Sequence, residues 1–223
     1  MPSQITREIH VTRRAALASL VWLAVGCASP SRGTLTSLRA TRVTFLEPGH
    51  DLDLNIEVSA WAAGASAAAV RRDHAEVNWR LGRWYEVVVP SFSDTFVSAL
   101  QGRGVGVDRL TVNAISADRS LSFPLVRSFL SAGFVYKTFT SSAYAPFVSV
   151  VLQLWDPNGA ITYRQLYVAT DRSFNLFMTT LPASTPFLLA DIASLSDNPA
   201  PALNAFRSLA QQLGQKFAAD LLT

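Results

Sequence analysis

Runs of alternating or β-branched apolar residues in the first half of the chain predict short β-strands. Most of them stop at or near proline or glycine, which interrupt strand pairing. They cover residues 42–46, 52–58, 77–81 and 84–89. The alanine-rich stretch 60–69 lies among these runs and fits either a loop or a short helix. The pattern therefore predicts an early β-rich region and leaves residues 60–69 open.

A change to helical spacing is expected after Pro90. Ser91 or Ser93 can cap a helix by accepting a hydrogen bond from a free backbone N–H. Gly102 is predicted to end that helix in the left-handed conformation, and residues 105–112 return to a strand pattern. The closely spaced glycines here follow a helix, whereas a phosphate-binding loop precedes one, so we interpret them as a turn.

Two further segments follow. The first repeats the helix-then-strand pattern, and the second has the pattern of a β-hairpin. Apolar residues at helical spacing in 125–130 predict a second helix, followed by Gly133 and a strand. Two β-rich runs, 147–155 and 161–169, flank the sequence Asp-Pro-Asn-Gly at 156–159, which suits a type I turn. The first of these runs is apolar on both faces, which indicates a central strand or one covered by a helix.

The C-terminal segment predicts an amphipathic helix. Asn198 and Pro199 suit a helix start, and large apolar residues then recur at steps of three and four. They are Ala202, Phe206, Leu209, Leu213, Phe217 and Leu221. A membrane-surface helix would carry more lysine and arginine, so packing on a sheet is the better interpretation. Together these elements predict an α/β (α+β) fold, with an antiparallel or mixed sheet packed by two or three helices.

The N-terminal region has the order of an export signal. Basic residues precede an apolar run of about 11 residues, too short to span a bilayer, which needs roughly 20. Small residues and the single cysteine, Cys27, follow. The alternative is a buried N-terminal helix with an incidental cysteine. We divide the chain into a signal peptide (1–26), a lipidated cysteine with a flexible tether (27–40) and one periplasmic domain (41–223).

The residues Ala24-Val25-Gly26-Cys27 resemble the bacterial lipobox. The resemblance implies cleavage between Gly26 and Cys27, a diacylglycerol on the Cys27 thiol and an acylated new amino terminus. One acyl chain gives marginal membrane affinity, and two or three chains make a durable anchor. Ala28 in place of Asp is similar to the sorting signal for the outer membrane, which implies its periplasmic face. The segment 12–17 resembles a twin-arginine signal, so the export route stays open.

The composition narrows the classes of function. Apolar residues are 49% of the chain, enough for a packed core, and one cysteine makes neither an internal disulfide nor a thiolate metal site. Removing Arg7, Glu8, Arg13 and Arg14 with the signal changes 19 basic and 16 acidic residues to 16 and 15, a net charge of +1. The basic residues are scattered, which argues against a nucleic-acid partner.

Candidate chemistry is sparse. The chain has no Gly-x-Ser-x-Gly nucleophile motif, and His50 and His74 are interpreted as exposed polar residues. Asp51 and Asp53 lie two residues apart, on one strand face, without a further group to support acid–base catalysis. We therefore expect no catalytic residue, no metal, no cofactor and no enzymatic activity.

An uncharged segment supplies the candidate interaction surface. Residues 173–190 contain no charged side chain, and two prolines exclude a continuous spanning helix. Such a segment is either core or an exposed apolar patch for a partner. The candidate surface residues are Phe174, Phe177, Met178, Phe187 and Leu188.

The order of elements in residues 77–112 and 200–223 is similar to that of auxiliary lipoproteins of ABC-type lipid transport systems. The resemblance implies a non-catalytic protein that docks with an envelope transporter. We therefore expect an accessory or assembly component of a membrane complex, with a periplasmic carrier of lipid or another hydrophobic ligand as the alternative. An enzyme would need a polar cleft that includes His50 or His74.

Overall fold

The computed structural model describes residues 41–58, 67–111, 122–137, 143–170, 179–182, 187–189, 192–196 and 198–222. All of them belong to the unit Thr34–Thr223. The predicted signal peptide, the lipidation residue Cys27 and the tether lie outside the described residues, so these parts stay predictions.

The described residues form a mixed β-sheet and three α-helices, which confirms the predicted α+β class. The strands are β1 Arg42–Leu46, β2 Gly49–His50, β3 Asn55–Val58, β4 Gly106–Leu110, β5 Leu125–Lys137, β6 Ala143–Trp155, β7 Ile161–Thr170 and β8 Thr179–Pro182. The helices are α1 Ala67–Leu81, α2 Tyr85–Gln101 and α3 Ala200–Leu221, with a 3-10 helix at Ile192–Ser196. No helix among these residues is both long and apolar enough to cross a bilayer.

The sheet is built around β5 and β6. Its order is β4-β1-β5-β6-β7-β8, and β6 runs antiparallel to both of its neighbours. The short strands β1, β2 and β3 pair in succession along one edge of β5, all parallel to it. The predicted central position of the 147–155 strand is therefore confirmed, since β6 has a long partner on each side.

The predicted hairpin is present, and the geometry of its turn explains why Asp156 and Gly159 occupy their positions. The Gly159 N–H donates to the Asp156 carbonyl oxygen at 3.0 Å, and the Ala160 N–H donates to the Asp156 carboxylate at 2.8 Å. Gly159 has a φ of 85°, in the left-handed region that favours glycine. The turn chemistry is local, so it sets the β6–β7 register from adjacent residues.

The C-terminal helix is also confirmed. Its apolar stripe is buried, and the helix packs with α2 on one face of the sheet. The rings of Phe96 and Phe217 stack with centroids 4.5 Å apart, and Phe206 meets Phe134 of β5 edge-on at 5.2 Å. These contacts form the main hydrophobic core.

The strands predicted at 77–81 and 84–89 are wrong, because both segments are helical. Val77 and Leu81 are buried one helical turn apart, whereas Trp79 is 76% exposed, so the apparent alternation is part of a helical pattern. The second segment begins α2, where Val88 and Val89 pack in the core. Tertiary burial here outweighs the β propensity of valine.

The start and end of the predicted central helix also need correction. The helix α2 begins at Tyr85, so Ser91 and Ser93 lie inside it and do not cap it. Pro90 is tolerated because it lies on the exposed side, where the carbonyl lacking its helical donor can meet water. Gly102 is right-handed, with a φ of −60°, and Gly104 supplies the left-handed residue of the turn, with a φ of 83°. The interpretation of these glycines as a turn and the strand near 105–112 are confirmed.

The helix predicted at 125–130 is wrong, because these residues begin the strand β5. Val126 and Leu130 belong to the main core, whereas Phe129 is 43% exposed on the opposite face. Of the strand predicted at 52–58, only Asn55–Val58 is β, and Leu52 and Asp53 lie in a bend. Of the stretch 60–69, residues 67–69 belong to α1 and the rest lies outside the described residues.

Candidate interaction surface

The sheet has one face covered by α2 and α3 and one face turned away from them. Side chains of the covered face are buried in the main core, among them Leu130, Val150 and Tyr167. We call the opposite face the outer face. Its residues on β5, β6 and β7 are the strand neighbours of the core residues, because successive side chains in a strand point to opposite sides.

Three rows of paired residues cross the outer face at one end of the sheet. Cross-strand partners lie side by side on a face. The rows are Leu125–Trp155–Ile161, Arg127–Gln153–Arg164 and Phe129–Val151–Leu166. A register shift between Leu154 and Trp155 brings Ile161, rather than Thr162, opposite Trp155. Leu125 is buried, but Ile161 is 46% and Phe129 is 43% exposed, and both arginines are exposed. We call the eight residues of these rows other than Leu125 the basic–apolar patch.

The outer face becomes buried towards the other end of the sheet. Val135, Phe147 and Val168 form a second, small core cluster against which Leu166 packs. The exposed apolar side chains of the outer face therefore concentrate at the Trp155 end of β6.

The basic–apolar patch is cationic. The Arg127 guanidinium lies 5.4 Å from the centre of the Trp155 ring, and the Trp155 indole N–H donates to the Gln153 side-chain oxygen at 3.2 Å. The strands β5, β6 and β7 contain no Asp or Glu. Within the described part of the chain, no carboxylate forms a salt bridge with Arg127 or Arg164. The patch thus offers two cations and large apolar groups to solvent.

The patch lies at the end of the sheet where the chain enters the domain. Thr44 pairs with Leu125, which pairs with Trp155, so β1 begins beside the same row. Arg42 lies two residues earlier, where it stacks over Phe123 and forms a 3.4 Å salt bridge with Asp108. The segment that leads back to Cys27 therefore joins the sheet at the patch end.

The predicted apolar surface is only partly described. Phe174, Phe177 and Met178 lie outside the described residues. Phe187 is half-buried and packs on the main core, whereas Leu188 is 47% exposed. The next residue, Leu189, exchanges two backbone hydrogen bonds with Tyr144, at 2.7 and 2.8 Å. Tyr144 is 11 residues from Trp155 along β6, or about 37 Å. Leu188 and the basic–apolar patch therefore lie near opposite ends of that strand.

The two histidines are not exposed, contrary to the sequence-based interpretation. His50 is half-buried and stacks on Tyr85 with ring centroids 4.5 Å apart, and its Nδ1 lies 2.9 Å from the Asp51 carbonyl oxygen. His74 is half-buried beside the Asn78 amide. Among the residues that the structure describes, no group of three His, Cys, Asp or Glu side chains could hold a metal. Asp51 and Asp53 do not share a strand face, because both precede β3.

A buried polar chain ties α3 to β7. The Tyr163 hydroxyl donates to the Tyr167 hydroxyl at 2.5 Å, and Tyr167 donates to the Asp220 carboxylate at 3.0 Å. Lys216 donates to the other oxygen of Asp220. Burial is the main cause that raises the pKa of Tyr167 above its ordinary value, and it also raises the pKa of Tyr163. Both phenols therefore stay protonated at neutral pH and serve as hydrogen-bond donors.

The sequence pattern did not predict the basic–apolar patch. Its residues are distant in the chain and come together only through the registers of β5, β6 and β7. One signal was available, because a hairpin with apolar residues on both faces must either bury its second face or expose it.

No family model matches the chain, and no curated protein matches it. Among solved structures, the chain is similar to a Xanthomonas campestris protein assigned to the family model DUF330. The two share 12% identity with a TM-score of 0.41, over 81% of this chain and 83% of that one. It is also similar to a minor lipoprotein of Acinetobacter baumannii, with 11% identity and a TM-score of 0.42, over 81% of this chain and 90% of that one.

Proposed function

We propose that this protein is a non-catalytic envelope lipoprotein. Acylated Cys27 holds it at the periplasmic face of the outer membrane, and its domain serves as an accessory or assembly component of a membrane complex. ABC-type lipid transport is the system that the sequence resemblance favours. The lipobox-like residues before Cys27 support the lipid anchor. Exposed apolar side chains of the domain support its contact with a membrane complex.

The observation that carries the contact role is the placement of exposed apolar side chains at two separated ends of one sheet. Phe129 and Ile161 are exposed at the patch end, and Leu188 is exposed at the other. Exposed large apolar residues that cluster on a surface commonly mark interaction sites. A protein with exposed apolar groups at two places about 24–37 Å apart along β6 is suited to bridge two components, such as a membrane and a protein complex.

The packing between the helices and the sheet favours this role over that of a ligand carrier. The space between α2, α3 and the covered face is filled by fully buried rings, including Phe92, Phe96 and Phe217. Gly214 of α3 lies so close to α2 that an added Cβ would stand 2.8 Å from the Phe92 carbonyl oxygen. A lipid chain could enter this interface only if the core repacked.

A photo-crosslinker at position 188 tests the proposal in native membranes. The full chain is expressed, processed and crosslinked in cells, and the adducts are identified by mass spectrometry. We expect transporter subunits to be captured from position 188 and not from Gln211, an exposed residue of α3. Equal capture from both positions, or a purified monomer that carries stoichiometric lipid in its core, would contradict the accessory role.

A further inference from the structure

We infer that the basic–apolar patch lies on the anionic phospholipid leaflet in which Cys27 is anchored, so that the sheet stands with Leu188 facing away from the membrane. This inference rests on the proposed acylation of Cys27 and adds an orientation to it. The outer face at the Trp155 end becomes the membrane-facing surface.

The position of the patch supports this orientation. The chain enters β1 at Arg42, next to the row that contains Trp155. Arg42 follows Cys27 by fifteen residue steps, which span roughly 50 Å when fully extended. The tether is therefore long enough to allow many orientations, and contact between the domain and the leaflet selects among them. Tethering keeps the leaflet at a high effective concentration, so even weak contact is sufficient.

The chemistry of the patch matches a phospholipid interface. Tryptophan is favoured at the boundary between lipid headgroups and acyl chains. Each arginine near an anionic membrane surface strengthens membrane binding of the protein about fivefold. Trp155 is half-buried with Arg127 over its ring, and Ile161 and Phe129 offer apolar groups beside it. This combination is typical of surfaces that bind anionic membranes.

Two described carboxylates lie at this end of the sheet, and both have partners other than Arg127 and Arg164. Asp108 is paired with Arg42. Asp156 lies in the hairpin turn, where its carboxylate accepts the Ala160 N–H. Neither forms a salt bridge with Arg127 or Arg164 in the part of the chain that the structure describes. An anionic surface would therefore meet two exposed arginines that pair with no carboxylate among the described residues.

Fluorescent labelling of the lipidated protein tests the orientation. Because acylation blocks the only native thiol, Ile161→Cys introduces a single reactive cysteine, and Leu188→Cys supplies the matched control at the opposite end. Each variant is labelled with an environment-sensitive dye and reconstituted into vesicles of phosphatidylcholine alone or mixed equally with phosphatidylglycerol. Quenching by brominated lipid reports contact with the acyl region.

We expect strong quenching at position 161 in the anionic vesicles and little at position 188. The double variant Arg127→Gln/Arg164→Gln should weaken the contact about 25-fold, the product of two fivefold effects. A label at 161 that stays in water, or that contacts only protein in native membranes, would overturn the inference while leaving the anchor intact. Failure of the wild-type protein to stay with vesicles would instead remove the anchor, and with it both proposals.

Discussion

Gly214 of α3 lies against the backbone of Phe92 in α2. A Cβ at position 214 would stand 2.8 Å from the Phe92 carbonyl oxygen and 3.1 Å from the Phe96 amide nitrogen. Both contacts are with backbone, so no side-chain rotation can relieve them. This close approach brings the two helices together and allows Phe96 and Phe217 to stack.

Gly214→Ala is expected to destabilise the domain by about 1–3 kcal/mol, the usual cost of overpacking a core. Alanine is the better helix former by roughly 1 kcal/mol, so a stabilised variant would show that the helices separate without cost. Urea unfolding measures the difference. Gln211→Ala, exposed on the same helix, is the control and should change stability by less than about 0.5 kcal/mol.

Tyr167→Phe should destabilise the fold by about 1–3 kcal/mol, because it removes a buried hydroxyl that both accepts from Tyr163 and donates to Asp220. Tyr163→Phe is the matched variant. Tyr163 is only half-buried, so its loss should cost less. Thermal unfolding of the two variants compares their stabilities. A larger loss of stability in Tyr163→Phe would contradict the arrangement in which Tyr163 donates to Tyr167 and Tyr167 donates to Asp220.

The same pair predicts a loss of stability in alkali. Since burial raises the pKa of Tyr167 and Tyr163 above the ordinary value of 10.0, the folded protein holds these protons more tightly than the unfolded chain does. The unfolded chain then releases protons first, and the free energy of unfolding falls as pH rises above about 10. Urea midpoints between about pH 8 and about pH 11 should fall less steeply in Tyr163→Phe/Tyr167→Phe. An identical slope in the double variant would mean that other groups cause the decline.

Asn78 of α1 forms hydrogen bonds with the bend before β3, and its replacement should lower the free energy of unfolding. Its side-chain oxygen accepts the Leu54 N–H at 2.6 Å, and its Nδ2 donates to the Leu54 carbonyl oxygen at 3.0 Å. Leu54 is fully buried, so Asn78→Ala leaves two backbone groups without partners and should cost about 2–4 kcal/mol. Glu76→Ala, which breaks only a partly exposed pair with Arg80, should cost under about 1 kcal/mol in the same denaturation experiment. Equal losses would assign Asn78 no special role.

The parts of the fold that the sequence predicted are those set by neighbouring residues. The hairpin follows from the turn residues Asp156 and Gly159, and α3 follows from an apolar stripe repeated over six turns. In both cases local chemistry and tertiary burial favour the same structure.

The errors lie where local propensity and tertiary burial disagree. Valines at the start of α2 favour a strand but are buried in a helix. Leu125, Val126, Phe129 and Leu130 have helical spacing but lie in β5, because the sheet buries one face and exposes Phe129 on the other. The apolar second face of the hairpin was visible in the sequence, but the basic–apolar patch depends on two strand registers, β5–β6 and β6–β7, that no single segment of sequence encodes.

Acylation of Cys27 is the central claim of this account, and intact-protein mass spectrometry of the membrane-purified chain, with palmitate labelling in cells, tests it most directly. The account predicts a chain that begins at Cys27 and carries a diacylglycerol and an amide-linked acyl group, with no label and no membrane fraction for Cys27→Ser. A wild-type protein without acyl mass, or a Cys27→Ser protein that still fractionates with membranes, would contradict it.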